Sequence, residues 1–242
     1  MSPSVARGVL VTGTDTGVGK SVASVALLHA LRARGLRAVG MKPVAAGCEA
    51  TAQGLCNDDA LALQAASDPV PAYADVNPWR LPEATAPQLA ARAAGIAVSM
   101  PPVLAAYARL AAGADAVVVE GAGGWLSPLA DGIEHADLAR VLGLPVLLVV
   151  GLRLGCLSHA RLSARAIAAD GCRLLGWVGC AVDPAFGRRE DYLALLEAAL
   201  PAPCMGVVAH AGPVVDAGAL AASLAAAARA VAGGGPAAVT GA

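Results

Sequence analysis

Residues 11–21, VTGTDTGVGKS, decide how this chain folds. They follow the short apolar run 8–12 (GVLVT) and open a helical pattern over 20–34. A glycine-rich turn between strand and helix exposes successive backbone N–H groups. The helix N-terminus adds the positive end of its dipole, and together they cradle a phosphate. Lys20 is placed to reach β- and γ-phosphates, and the Ser21 hydroxyl to bind Mg²⁺. Gly13 and Gly19 are separated by five residues, one more than the usual consensus, and Thr14 stands where that consensus has glycine. An ordinary glycine-rich turn is the bland alternative. Lys followed by Ser at the start of the first crossover helix weighs against it.

Working outward, short β-rich runs alternate with longer helical patterns. Residues 8–12, 38–42, 116–120, 145–150, 174–182 and 204–208 read as strands, most of them apolar without interruption, as parallel strands buried on both faces are. Helical patterns cover 20–34, 59–66, 87–94, 102–112, 136–142, 157–169, 188–200 and 217–231. Such alternation implies an α/β fold with a mainly parallel sheet of about seven strands and helices on both faces. No repeat or linker divides the chain, so residues 1–232 are expected to form a single domain and 233–242 a flexible tail. The irregular stretch 43–57 is where a functional loop is expected.

Composition narrows the function. Hydrophobic residues make up 57% and charged ones 14% of the 242, which excludes disorder over most of the length. A net charge of -1 leaves no basic field for a nucleic-acid backbone. The longest oily run, 142–152, is broken by Gly143, Pro145 and Gly151, too short for a membrane span. Six cysteines show no Cys-x-x-Cys and no zinc-like pairing with the four histidines. The chain runs from Ser2 straight into a strand-like segment, so a cytoplasmic protein with reduced thiols is expected.

Three further signals join the phosphate loop. Lys42 closes the second strand in Met41-Lys42-Pro43, and ligand sites of parallel sheets sit at strand carboxyl ends. A lysine merely snorkelling from the strand end is the alternative. Glu120 ends the run AVVVE and leads into Gly121-Ala122-Gly123-Gly124; an acid there normally holds or orients Mg²⁺. Asn57-Asp58-Asp59 precedes a helix, where Asp58 or Asp59 serves either as an N-cap or, for Asp59, as a metal ligand beside the other signals.

Taken in order, GTDTGVGKS, GMKPVAAG, NDDALALQ, NPW, VVVEGAGGWLSPL, PVLLVVGLRLGCLSHA, GWVG and the late PAP segment resemble the dethiobiotin synthetase family, within the P-loop NTPase superfamily, over residues 5 to 208. The resemblance implies closure of a cyclic urea on 7,8-diaminononanoate with CO₂ (or bicarbonate), ATP and Mg²⁺, by a homodimer whose active sites lie at the subunit interface. It implies a nucleotide site of Gly17, Val18, Gly19, Lys20, Ser21 and Val22, with Asp59, Glu120, Gly121, Ala122 and Gly123 near the phosphates. Cys180, Ala181, Ala209, His210 and Ala211 then fall at the base. Ser21, Asp59 and Glu120 match the metal positions, and Lys42, Lys20 and Thr16 the catalytic ones. Ala46, Gly155, Cys156, Leu157, Ser158 and Tyr192 match substrate contacts, along with Thr16 and Lys42. Switch ATPases of the superfamily carry an extra lysine early in the loop; Asp15 fills that slot here, which argues against a switch. A synthetase for another carboxylate or carbamate, and a non-catalytic nucleotide-dependent regulator, are the competing readings.

Four positions depart from the family pattern. Ala46 replaces a serine, Ser158 stands where asparagine is common, Cys180-Ala181 replaces an Asn-Asp pair, and Ala209 replaces a proline. The chemistry end is intact, while the base-reading end has lost its amide.

Overall fold

The computed structural model describes residues 7–209 and 217–233. His210 and Ala211, and the expected tail from residue 234 onward, lie outside the described residues. Strand β1 (Arg7–Gly13) is followed by the phosphate loop and helix α1 (Lys20–Arg32), then β2 (Ala38–Met41). The stretch read as irregular carries β3 (Val44–Ala46) and a small hairpin, β4 (Glu49–Thr51) and β5 (Gly54–Cys56). Next come α2 (Asp58–Ala66), α3 (Tyr73–Val76), β6 (Trp79–Leu81), α4 (Pro87–Ala94), α5 (Met100–Gly113) and β7 (Ala116–Gly124). The chain closes with α6 (His135–Leu142), β8 (Val146–Gly151), α7 (Cys156–Ala169), β9 (Leu174–Cys180), α8 (Arg189–Ala199), β10 (Cys204–Val208), α9 (Ala217–Ser223) and α10 (Ala225–Gly233).

Six strands, all parallel, form the main sheet in the order β10-β9-β8-β1-β7-β2. These are the six runs read from the sequence. The expected seventh is not among the described residues, because the segment that returns after β10 is alanine-rich and packs as helices α9 and α10 against α1. Uninterrupted apolar strands follow from burial on both faces. Leu10, Val117, Val119 and Leu148 point into one core layer with α5, α6 and α7, while Val9, Val11, Val118 and Val149 point into the other with α1, α2 and α10. Each such side chain stabilises the fold by roughly 1.5–3 kcal/mol.

Register then positions the site. Val11 lies level with Glu120, and Met41 with Val119. Lys42, the residue after Met41, is therefore level with Glu120 on one side, and Val11 is level with it on the other, two residues before β1 ends at Gly13 and the phosphate loop begins. No helix among the described residues is long and apolar enough to cross a membrane.

Candidate active site at the carboxyl edge of the sheet

The loop between β1 and α1 turns at Gly19, whose φ of 90° lies in the left-handed region. A Cβ there would stand 2.9 Å from Cys180 Cβ, so glycine serves both the turn and the close packing on β9. Lys20 is the first residue of α1, and its Nζ donates to the Asp15 carbonyl at 2.9 Å. Burial lowers the Lys20 pKa and the neighbouring Lys42 charge adds to that, while Glu120, Asp59 and Asp15 pull the other way.

Beside the loop lies a compact polar cluster. Lys42 Nζ donates to Asp59 Oδ2 at 2.7 Å and to Glu120 Oε1 at 2.7 Å, and Ser21 Oγ donates to the same Glu120 oxygen at 2.9 Å. Burial by itself would lower the Lys42 pKa, but the two carboxylates outweigh it and raise the value. Asp59 moves the opposite way: burial would raise its pKa, and Lys42 holds it below the ordinary value. The snorkelling alternative for Lys42 is thereby removed, since its side chain is only 6% exposed.

Asp59 is free for this work because another residue caps α2. Asn57 is the N-cap, its side-chain oxygen accepting the Ala60 N–H at 3.3 Å, and Asp58 and Asp59 sit in the first turn. Lys42 is held from behind as well. Its N–H donates to the Val76 carbonyl at 2.7 Å, and the buried Asn77 amide donates to the Lys42 carbonyl at 2.7 Å. That contact gives the Asn77-Pro78-Trp79 motif a structural role.

A cleft of about 710 Å³ opens over the cluster. Among its lining residues are Thr16, Gly17, Gly19, Lys20, Ser21, Val22, Lys42, Ala46, Asp59, Ala122 and Gly123, so most of the phosphate and chemistry residues read from the sequence meet in one place. Asn57, Ser127 and the segment 84–87 line it too, and sequence reasoning did not single out the last two. Pro87 at the first turn of α4 was the available signal, since proline there fixes where a helix begins. Glu120 lies beneath the floor, fully buried.

Other expected residues stand apart from this cleft. Cys180 is buried at the end of β9, with its thiol turned to the Gly19 carbonyl at 3.7 Å and pushed up to about 12 by burial. The Ala181 N–H donates to Val208 at 2.9 Å, and Ala209 follows β10. Gly155 is the left-handed N-cap of α7, which begins at Cys156 and carries Leu157 and Ser158. Tyr192 packs edge-on against Phe186 with ring centroids 4.7 Å apart. Asp15 ties the two ends together: it accepts from Thr16 N–H at 2.7 Å and from Arg153, just before α7, at 2.5 Å.

Divalent-metal chemistry fits the donors present. Ser21, Asp59 and Glu120 offer hard oxygens, and Glu120 Oε2 is buried without a hydrogen-bond partner. Among the described residues no group of three or more His, Cys, Asp and Glu forms a metal cage. Mg²⁺ is held by one or two carboxylates, substrate phosphates and water, and two carboxylates and a hydroxyl are the donors here.

Comparison with known proteins shows the family. A family model described as an AAA domain matches residues 7–216. The chain is 60% identical over 196 residues to the ATP-dependent dethiobiotin synthetase of Xanthomonas campestris, covering 81% of this chain and 88% of that protein. It is 56% identical over 214 residues to the corresponding enzyme of Xylella fastidiosa, covering 88% and 95%. Among solved structures, the cell division protein FtsY of Thermotoga maritima aligns at TM-score 0.52 and 17% identity, over 92% of this chain and 69% of that one. The MinC:MinD cell division complex of Aquifex aeolicus aligns at 0.53 and 13%, over 95% and 97%. These last two likenesses concern the fold alone.

Proposed function

The chain belongs to the ATP-dependent dethiobiotin synthetase family and is an ATP-dependent ligase of biotin synthesis, and we propose the following roles for its residues in that reaction. The substrate is 7,8-diaminononanoate. One of its amines captures CO₂ and loses a proton to become a carbamate. A carbamate oxygen attacks the γ-phosphorus of ATP and ADP departs. The second amine attacks the carbonyl of the resulting mixed anhydride, and phosphate leaves as the urea ring closes.

No covalent bond to the protein is needed, so the chain's task is to hold two anions in line and offset their repulsion. Backbone N–H groups of Gly17 to Val22 cradle the phosphates, with Lys20 alongside them. Lys42 and Thr16 face the carbamate. Ser21, Asp59 and Glu120 would hold Mg²⁺, which would supply positive charge against the phosphoryl oxygens. The observation that carries this reading is the meeting of Lys42, Asp59, Glu120 and Ser21 within 2.9 Å contacts at the mouth of the phosphate loop.

The protein works in the cytoplasm as a homodimer, with residues 1–232 as one unit. Support for the dimer comes from exposed apolar side chains around α7. Leu154 is 80% exposed, and Leu126 and Leu162, both well exposed, line a shared surface hollow of about 520 Å³. An isologous contact there sets residues 155–158 of one subunit toward the cleft of its partner, to receive the substrate's distant carboxylate, and Tyr192 is a further substrate contact.

Steady-state kinetics of two variants test the assignment. Lys20→Ala should lose ATP affinity and turnover together, because it meets phosphate in ground and transition states alike. Lys42→Ala should chiefly lower kcat, by ~10²-fold or more. Wild-type turnover in Lys42→Ala removes that lysine from the chemistry.

A further inference from the structure

The sequence contains two lysines, Lys20 and Lys42, and both are in this site; the other cations of fixed charge are arginines. Lys42 occupies an unexpected place. Its ammonium bonds Asp59 Oδ2 and Glu120 Oε1, each at 2.7 Å, and Ser21 Oγ takes the same Glu120 oxygen at 2.9 Å. All three side chains read above as metal ligands are therefore engaged with the lysine or with the oxygen it holds. Glu120 Oε2 is unpartnered, but a cation that draws on all three side chains meets the ammonium. Ammonium hydrogens and a divalent ion compete for the same lone pairs, and their like charges repel. The Lys42 backbone is pinned by Val76 and Asn77, so a change of partner falls to the rotatable bonds of its buried four-carbon stem.

We propose that the Lys42 ammonium is the resident counter-ion of the metal site: it holds Asp59 and Glu120 together before metal arrives, and it is exchanged for the divalent cation, turning into the phosphate cleft. Metal loading and delivery of the lysine to the reacting carbamate then become one event. A protein without metal keeps its lysine sequestered, which guards against turnover in a half-loaded site. The inference rests on the reading of Ser21, Asp59 and Glu120 as metal ligands.

The test uses Mn²⁺ alone, without nucleotide or diamine, and follows bound ion by electron paramagnetic resonance. Lys42→Met should bind Mn²⁺ at least about tenfold tighter than wild type, within the usual range for coupled sites, and Lys42→Arg no tighter than wild type. Mn²⁺ should also raise the Tm of Lys42→Met more than that of wild type, which shows that the variant is folded and loaded. A second measurement reads the lysine in the wild-type protein, with Lys42→Arg used only to assign its signal. Wild type carrying ¹³Cε-lysine gives only two lysine signals, and Mg²⁺ should shift the one that disappears in Lys42→Arg. Lys42→Met binding Mn²⁺ no tighter than wild type, or a Lys42 signal unmoved by saturating Mg²⁺, overturns the exchange. Asp59→Asn separates the two failures. If it weakens Mn²⁺ binding while Lys42→Met does not tighten it, the metal ligands stand and the exchange alone falls. If it changes nothing in either background, the metal assignment falls and the exchange with it.

Discussion

Acid should weaken this fold through His135. The side chain is fully buried at the start of α6, and its Nε2 accepts the Ala122 N–H at 3.1 Å, so the neutral ring carries its proton on Nδ1. Burial first, and then the charge on Lys20, push its pKa from 6.5 down to about 4. The unfolded chain therefore takes up this proton at higher pH than the folded one. The contribution of the neutral ring is complete above the unperturbed value of 6.5 and drains away as the pH falls toward about 4. A shift of that size is worth about 3 kcal/mol in total, of which about 2 kcal/mol is lost between about pH 7.5 and about pH 5. Urea denaturation in steps across that window measures it, with His135→Gln as comparator. The glutamine oxygen can accept the Ala122 N–H and does not titrate. Carboxylates titrate alike in both proteins, so the difference between the two unfolding free energies isolates the histidine. That difference should move against wild type by about 2 kcal/mol as the pH falls. A difference constant to within about 0.5 kcal/mol would refute the reasoning.

Three further expectations follow from the site. Chelation should abolish activity, and Mg²⁺ or Mn²⁺ should restore it; activity that survives thorough chelation removes Ser21, Asp59 and Glu120 from metal binding. Selectivity between nucleoside triphosphates should be weak, because a buried thiol turned to Gly19 cannot make the paired hydrogen bonds of an amide. The lost bond should narrow the preference in catalytic efficiency for ATP over GTP, CTP and UTP by roughly up to tenfold, and Cys180→Asn should widen the ratio again. A wild-type preference for ATP above roughly a hundredfold would contradict the expectation, and Cys180→Asn that leaves the ratios unchanged would contradict its cause. Sedimentation at assay concentration should find a dimer, and Leu162→Glu on its exposed face should split it and cut activity; a fully active monomer would refute the shared site.

Much of the architecture was legible because one physical cause, burial on both faces, writes the same uninterrupted apolar run into each central strand. The phosphate loop was legible because few backbone paths join strand to helix with that many N–H groups exposed. Lys42 was placed at the end of β2 and follows it by one residue, whereas Glu120, read as a strand end, is the fifth of the nine residues of β7, which runs on to Gly124 by pairing with Gly13. Only register sets the two side by side, and register is a property of pairing between residues 78 apart. Asn57 took the cap that the sequence left open between Asp58 and Asp59, which a side-chain bond decides and composition does not. The hairpin of β4 and β5 escaped notice because three-residue strands are too short to show a period. The alanine run after residue 217 read as one helix. It divides near Ser223, whose carbonyl approaches Gly206 so closely that a Cβ there would lie 2.0 Å away. His135 and the Asp15–Arg153 pair carried no local signal, since each acts through a partner brought near only by the fold.

The most direct test of the account is a single-vessel assay with the diamine, ¹³C-bicarbonate, ATP and Mg²⁺, following phosphate release and product mass together. The account predicts one phosphate per ring closed, label at the new ureido carbon, and no phosphate above background when the diamine, the bicarbonate or the metal is left out. Phosphate released at the full rate without the diamine, or a product without the label, would contradict it.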